Sequence, residues 1–284
     1  MRVEVGEIAL EVEDHGEGVP VVLLHGFPLS SAMWTGVRTA VEQVARLVTP
    51  DLRGFGGSDK PASGYTMEAL ADDVVRLADR LGLARFVLGG HSMGGYVALR
   101  VAAAHPERLA GIILVDSRAE ADTVEGRARR DASIERIRRG EAVAYLDEFV
   151  PNLVGATTRA RAPRLLAELR GIAAEVPDHV LIGCLSGMRD RPDSTPVLAS
   201  LDVPALVLAG EEDAITPPES ARAMAATLPR AELMLIPQAG HTPSVERPIP
   251  TAEAVMAFLR QHFPPPPASI RPRARRPEIE PEEP

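Results

Sequence analysis

Gly89-Gly90-His91-Ser92-Met93-Gly94-Gly95 is the stretch on which the reading of this chain turns. The apolar run Arg85-Phe86-Val87-Leu88 precedes it, and the helix-like run Tyr96-Val97-Ala98-Leu99-Arg100-Val101-Ala102-Ala103-Ala104 follows. Strand, turn and helix form the setting in which a Gly-x-Ser-x-Gly run marks a nucleophile elbow. Such a serine sits on a turn so sharp that its backbone is strained and its hydroxyl stands clear of the sheet. A Cβ two residues before or after Ser92 would strike the neighbouring strand or helix, and glycine at 90 and 94 removes it. The motif is short, and a small polar residue in a Gly-rich turn would look the same. Its partners elsewhere in the chain therefore decide the matter.

Downstream, Val203-Pro204-Ala205-Leu206-Val207-Leu208-Ala209 reads as a buried strand. It runs into the turn-rich loop Gly210-Glu211-Glu212-Asp213-Ala214-Ile215-Thr216-Pro217-Pro218. A further strand, Glu232-Leu233-Met234-Leu235-Ile236, precedes Gln238-Ala239-Gly240-His241-Thr242-Pro243. Taken singly, Asp213 is an ordinary turn aspartate and His241 an ordinary loop histidine. Together with Ser92, each after a strand, they make a nucleophile, acid and base set. Glu211 and Glu212 compete for the acid role, and Asp213 is preferred because it lies deeper in the loop. Asp116, at the end of Gly111-Ile112-Ile113-Leu114-Val115, is a further competitor, with a structural role expected. Upstream, Val21-Val22-Leu23-Leu24 ends in His25-Gly26-Phe27-Pro28. A loop there can offer a backbone N–H to a developing oxyanion, and Phe27 and Met93 are the candidate donors. Pro28 has no N–H to give. His25 is expected to brace this loop by hydrogen bonds.

With these pieces in place the chain resembles the α/β-hydrolase superfamily. The resemblance rests on His25-Gly26-Phe27-Pro28, on Asp51-Leu52-Arg53-Gly54-Phe55-Gly56-Gly57-Ser58-Asp59, on the run around Ser92, on Gly210 to Asp213, and on Gly240-His241. It covers roughly residues 1–263. Within the superfamily the chain is similar to small bacterial carboxylesterases, 3-oxoadipate enol-lactonases and cofactor-free haloperoxidase or perhydrolase types. The resemblance implies Ser92, Asp213 and His241 as catalytic triad and the Phe27 and Met93 N–H groups as oxyanion hole. It implies a serine hydrolase that cleaves carboxylic esters of small to medium acyl chain through an acyl-enzyme. Enol-lactone hydrolysis, perhydrolysis and a ligand receptor with a retained triad remain open alternatives. The fold is expected to host many chemistries, so the substrate stays undetermined.

Composition agrees with an enzyme acting on a small-molecule ester or lactone. The chain has 284 residues, 45% of them hydrophobic, enough for one large core or a core with a lid. A net charge of −9 argues against nucleic acid as partner. No apolar run reaches membrane-spanning length, and Met1-Arg2-Val3-Glu4-Val5-Gly6-Glu7 has no signal-peptide core. One cysteine, Cys184, permits no internal disulfide and suits a reducing cytoplasm. Lys60 is the only lysine among 31 Lys and Arg residues, a bias expected of a GC-rich bacterial genome. No metal site is expected from ligand spacing and no cofactor from the chemistry. A monomer or small homo-oligomer is expected.

The periodicity predicts strands near 2–5, 7–13, 20–24, 46–50, 85–89, 111–115, 203–209 and 232–236. Helices are predicted near 33–45, 67–81, 93–104, 218–227 and 250–261. This alternation means an α/β fold: an eight-stranded, mostly parallel sheet with helices on both faces and a helical cap inserted after the sixth strand. The core is expected over 1–117 and 199–263, with the cap at 118–198. Two apolar stripes, from Ile134 through Ile137, Val143, Leu146 and Phe149 to Val150 and from Leu165 through Leu166 and Leu169 to Ile172, suggest a four-helix cap. Thirteen arginines and 13 acids balance within it, so composition makes no case for a charged substrate. Trp34 and Met188 are candidate substrate-binding residues, together with Phe27. The tail 264–284 holds eight prolines in 21 residues and is expected to be flexible.

Overall fold

The computed structural model describes residues 1–264, so all of the tail expectation beyond Pro264 lies outside the described residues. The chain opens with β1 (Arg2–Glu4) and β2 (Ala9–His15), then β3 (Val19–Leu24), α1 (Thr35–Val41) and β4 (Ala45–Pro50). There follow α2 (Met67–Arg80), β5 (Phe86–His91), α3 (Met93–Ala104) and β6 (Leu109–Val115). Six helices come next: α4 (Val124–Arg138), α5 (Ala142–Phe149), α6 (Ala156–Arg161), α7 (Pro163–Ala174), α8 (Asp178–Asp190) and α9 (Thr195–Ser200). The chain then closes with β7 (Ala205–Gly210), α10 (Pro218–Thr227), β8 (Ala231–Ile236), α11 (Pro243–Glu246) and α12 (Pro248–His262).

One eight-stranded sheet runs in the order β1-β2-β4-β3-β5-β6-β7-β8. β1 and β2 pair antiparallel, β2 is antiparallel to β4, and the rest are parallel. The central strands read as continuous apolar runs because helices cover both of their faces. Every residue of β5 and β7 is buried. β8, at the edge, instead exposes Leu233 and Met234. α2 shows how a covering helix is specified. Thr66 accepts the Ala69 N–H at 3.1 Å as N-cap, and Leu70, Val74 and Leu77 point one stripe at the core. Each such side chain contributes about 1.5–3 kcal/mol when fully buried.

Two expectations need correction. The inserted segment holds six α-helices and a 3-10 turn (Val150–Leu153), where four helices were expected. The first apolar stripe runs across a helix boundary that periodicity does not register. Gly140, at φ +83°, ends the run from α4, and Pro163 starts α7 afresh after Ala162. Val143, read as part of a buried stripe, is 67% exposed. The helix expected at 33–45 begins as a 3-10 turn at Ser31–Trp34 and stops at Val41, because residues 45–50 are taken up by β4.

The turn between β5 and α3 is strained as expected. Ser92 sits at φ 49°, ψ −111°, a conformation that L residues rarely adopt. A Cβ on Gly90 would lie 2.1 Å from the Gly94 carbonyl oxygen, and one on Gly94 would lie 2.6 Å from that of Leu24. Backbone meets backbone at both points, so no side chain can yield. Gly171, inside α7, has nothing within 4 Å of such a Cβ. Gly90→Ala and Gly94→Ala are therefore expected to lose about 1–3 kcal/mol or more in denaturant unfolding. Gly171→Ala should gain about 0.5–1 kcal/mol by the same measurement.

Candidate active site

Three strand ends meet at the carboxyl edge of the sheet, where open α/β sheets bind ligands. β5 delivers Ser92, β7 delivers the loop holding Asp213, and β8 delivers the loop holding His241. His241 Nδ1 stands 2.8 Å from Asp213 Oδ2, and both side chains are buried. With the ring proton on Nδ1, this contact leaves Nε2 free to accept a proton. Asp213 Oδ1 also accepts the N–H groups of Ile215 (2.8 Å) and Thr216 (3.1 Å), and the Thr216 hydroxyl donates to Oδ2 at 2.5 Å. Burial alone would raise the Asp213 carboxyl. His241 and these hydrogen bonds outweigh it and hold the group below its ordinary value. Glu212 is engaged elsewhere, accepting the Thr157 N–H and hydroxyl of α6. Ser92 and His241 line one cavity, and no hydrogen bond joins them in this structure. Such contacts tighten only when substrate is bound in many enzymes.

The Phe27 and Met93 N–H groups donate to no backbone carbonyl among the described residues. Met93 opens α3, so its N–H is one of the free donors of a helix N-terminus. Phe27, joined to Pro28 by a cis peptide bond, lines the cavity beside Ser92. His25 braces the loop as expected: its Nε2 accepts the Leu52 N–H at 2.9 Å, and its Nδ1 lies 3.0 Å from the Gly26 carbonyl.

Asp116 lies closer to the chemistry than its expected structural role required. It shares a cluster with Asp213 and His241 in which one ligand atom of each lies within 4.8 Å of the others. Oδ1 accepts the Gly210 N–H at 2.9 Å, while buried Oδ2 has no partner. Within this cluster His241 Nδ1 faces Asp213 directly. Burial, with the Asp213 carboxylate beside it, pushes the Asp116 carboxyl well above its ordinary value. A proton on Oδ2 gives that oxygen a hydrogen to offer Asp213.

Several site residues escaped the sequence reading. His91 donates from Nε2 to the His241 carbonyl, tying the elbow to the base loop. It stands in the Gly-x-Ser-x-Gly run itself, the one signal that could have drawn attention to it. Glu246 of α11 is buried and accepts the N–H groups of Gly240 (2.8 Å), Gly155 (2.9 Å) and Thr242 (3.2 Å). One carboxylate thus pins the His241 loop to the inserted helices. The cavity measures about 490 Å³, within the usual range for small-ligand sites. Met188 lines it, as expected. Trp34 does not: it is 1% exposed in the core, because its 3-10 turn packs against β4 and α11. Tyr96, Tyr145 and Phe149 line the cavity instead. No helix among the described residues is long and apolar enough to cross a membrane.

A family model described as alpha/beta hydrolase fold matches residues 19–248. A thermophilic esterase from Thermogutta terrifontis, solved with malate bound, is similar at 41% identity with a TM-score of 0.89, over 93% of this chain and 99% of that one. The enol-lactonase of Burkholderia xenovorans LB400 is similar at 27% identity and TM-score 0.84, over 91% and 99%. The dihydrolipoyllysine-residue acetyltransferase component of the acetoin cleaving system of Pseudomonas putida is 33% identical across 86% of this chain. The present chain spans 64% of that relative's length.

Two expected outcomes follow from the buried groups. Asp116→Asn keeps an acceptor for Gly210 and a donor for Asp213, so near-wild-type unfolding free energy is expected at pH 7. Asp116→Ala strands the buried Gly210 N–H and should lose about 1–3 kcal/mol. His91 is lowered by burial and by His241 to about 3, whereas an unfolded histidine titrates near 6.5. Between those values the unfolded chain takes up a proton that the folded chain refuses, so stability falls as pH drops through that window. Melting temperature measured from pH 7 to pH 4 should fall less steeply for His91→Gln than for the wild type.

Proposed function

The chain belongs to the alpha/beta hydrolase family, and from that premise we propose that it is a serine hydrolase of carboxylic esters working through an acyl-enzyme on Ser92. The observation that carries this reading is the buried His241–Asp213 pair opening onto the same cavity as a strained serine. The esterase likeness at 41% identity supports it.

In this reading His241 Nε2 takes the Ser92 proton as Oγ attacks the ester carbonyl. Asp213 holds the imidazole in the required tautomer and stabilises the imidazolium that forms. Negative charge developing on the carbonyl oxygen meets the N–H groups of Phe27 and Met93, and each such donor is worth about 100–1,000-fold in rate. Collapse of the tetrahedral intermediate expels the alcohol, which takes the proton from His241. Water, deprotonated by His241, then attacks the acyl-enzyme, and the carboxylic acid leaves Ser92. No metal or cofactor enters these steps. Residues 118–198 act as a cap that shapes the pocket and limits water, over a core of 1–117 and 199–263. A lactone is an internal ester and would be opened by the same parts, a second reading favoured by the enol-lactonase likeness.

Hydrolysis of p-nitrophenyl esters from acetate to decanoate checks the assignment. Ser92→Ala should lose turnover at least about 1,000-fold while keeping the wild-type circular dichroism spectrum and melting temperature within a few degrees. Undiminished turnover by that variant would sink Ser92 as nucleophile.

A further inference from the structure

The cavity above Ser92 has a mixed lining. Phe27, Tyr145, Phe149, Leu185 and Met188 are its apolar residues. Arg118, Arg129 and Arg130 are its guanidinium cations, with Asp122 as the one acid, and Arg130 Nη1 lies 3.6 Å from Met188 Sδ, so the two kinds adjoin. That acid is already engaged twice: Arg130 Nε and Arg191 Nη1 both donate to it, the latter at 2.7 Å. The trio of one carboxylate and two guanidinium groups remains cationic. Arg191 is itself buried and held 4.1 Å from the centre of the Tyr96 ring, so it cannot swing away to find another acid.

Arg118 is the more telling group. It follows Asp116 and Ser117, and the Ser117 hydroxyl donates to the Ser92 carbonyl at 2.9 Å. Its Nη2 donates to the Ile215 carbonyl at 2.6 Å, in the loop that carries Asp213. The side chain is thereby anchored between the elbow and the acid loop. Its Nε is buried with no partner, and among the described residues no carboxylate pairs with the guanidinium. A guanidinium is always charged, and donors left without acceptors are costly. Its planar fork matches a carboxylate, which would satisfy two donors at once. The chain as a whole carries −9, so three arginines against one acid in this cavity are a local arrangement and not the sign of the whole molecule. Clefts lined by one sign of charge concentrate ligands of the other.

Resting on the ester-hydrolase reading above, we propose that the substrates are carboxylic esters or lactones carrying a second, free carboxylate, bound by Arg118 with Arg129 beside it. The apolar lining residues then take the short carbon chain between the two functional groups, and the cavity volume limits its length.

The test compares matched esters. Mono-p-nitrophenyl glutarate carries the free carboxylate on the acyl side, and its methyl ester is the neutral counterpart. Acetate esters of 4-hydroxybenzoate and of its methyl ester place the carboxylate on the leaving-group side. Wild-type kcat/KM should favour the charged member of at least one pair by about tenfold or more. Arg118→Gln should lower that ratio about tenfold, chiefly through KM, and Arg129→Gln should lower it less. Where Arg118→Gln does not fold, the wild-type ratio and Arg118→Lys, which keeps the charge and loses the fork, decide instead. Equal or better turnover of the neutral member in both pairs, or a ratio unchanged in Arg118→Gln, overturns the carboxylate site and leaves the hydrolase reading standing. Absence of any ester turnover overturns the hydrolase reading, and glutarate binding then judges the site alone. Glutarate raising the melting temperature of Ser92→Ala, but not of Ser92→Ala/Arg118→Gln, supports it; no rise in Ser92→Ala overturns it.

Discussion

Backbone packed against backbone around Ser92 is the constraint from which the rest of the site follows. The Gly90 Cα lies against the Gly94 carbonyl, and Gly94 lies against the end of β3. α3 can start there only if the chain turns within one residue, and Ser92 takes up that turn at φ 49°. The strain is held by neighbours on each side: the Ser92 N–H donates to the Val115 carbonyl, and Ser117 donates to the Ser92 carbonyl. A serine that is buried from bulk solvent yet lines the cavity is the product of this arrangement, together with a free helix N-terminus beside it.

The other parts are tied back to the elbow by single side chains. His91 links it to the His241 loop, Asp116 links β6 to the start of the Asp213 loop, and Glu246 holds the His241 loop against Gly155. All three are buried, and each uses a charged or titratable group where an apolar residue would pack more cheaply. Their common consequence is positional. Loops that bear Asp213 and His241 are each fixed by a hydrogen bond, which suits the catalytic roles proposed for them. Burial lowers His91 and His25 and pushes the Asp116 carboxyl well above its ordinary value, while Asp213 is held below its own and faces His241 directly.

The cavity divides the labour between scaffold and insertion. Sheet-edge loops contribute Ser92, His241, Phe27, Ala214 and Ile215, while the helices after β6 contribute Tyr145, Phe149, Leu185 and Met188. The first group belongs to a fold that hosts many reactions, and the second shapes the space above it. Arg118 stands at the junction, on the segment leaving β6, and so joins the two.

The sequence by itself determined the fold class, the strand count and the order of Ser92, Asp213 and His241. These depend on local signals: strands buried on both faces read as apolar runs, and a serine between glycines at a strand–helix junction has few other uses. It also carried Met188 into the pocket by position in the inserted segment. The division of that segment into six helices was not legible in the stripes: Gly140 breaks one that looks continuous to a period of 3.6 residues, and Pro163 opens α7. Trp34 was misplaced because an aromatic residue near the Phe27 loop gives no local sign of which way it faces, and packing against β4 and α11 turned it inward. His91, Asp116 and Glu246 were decided only in the tertiary structure, since each acts on a residue at least 91 positions away. The cationic lining has the same origin: the inserted segment is neutral in composition, and folding alone brought Arg118, Arg129 and Arg130 to one cavity with a single acid, Asp122.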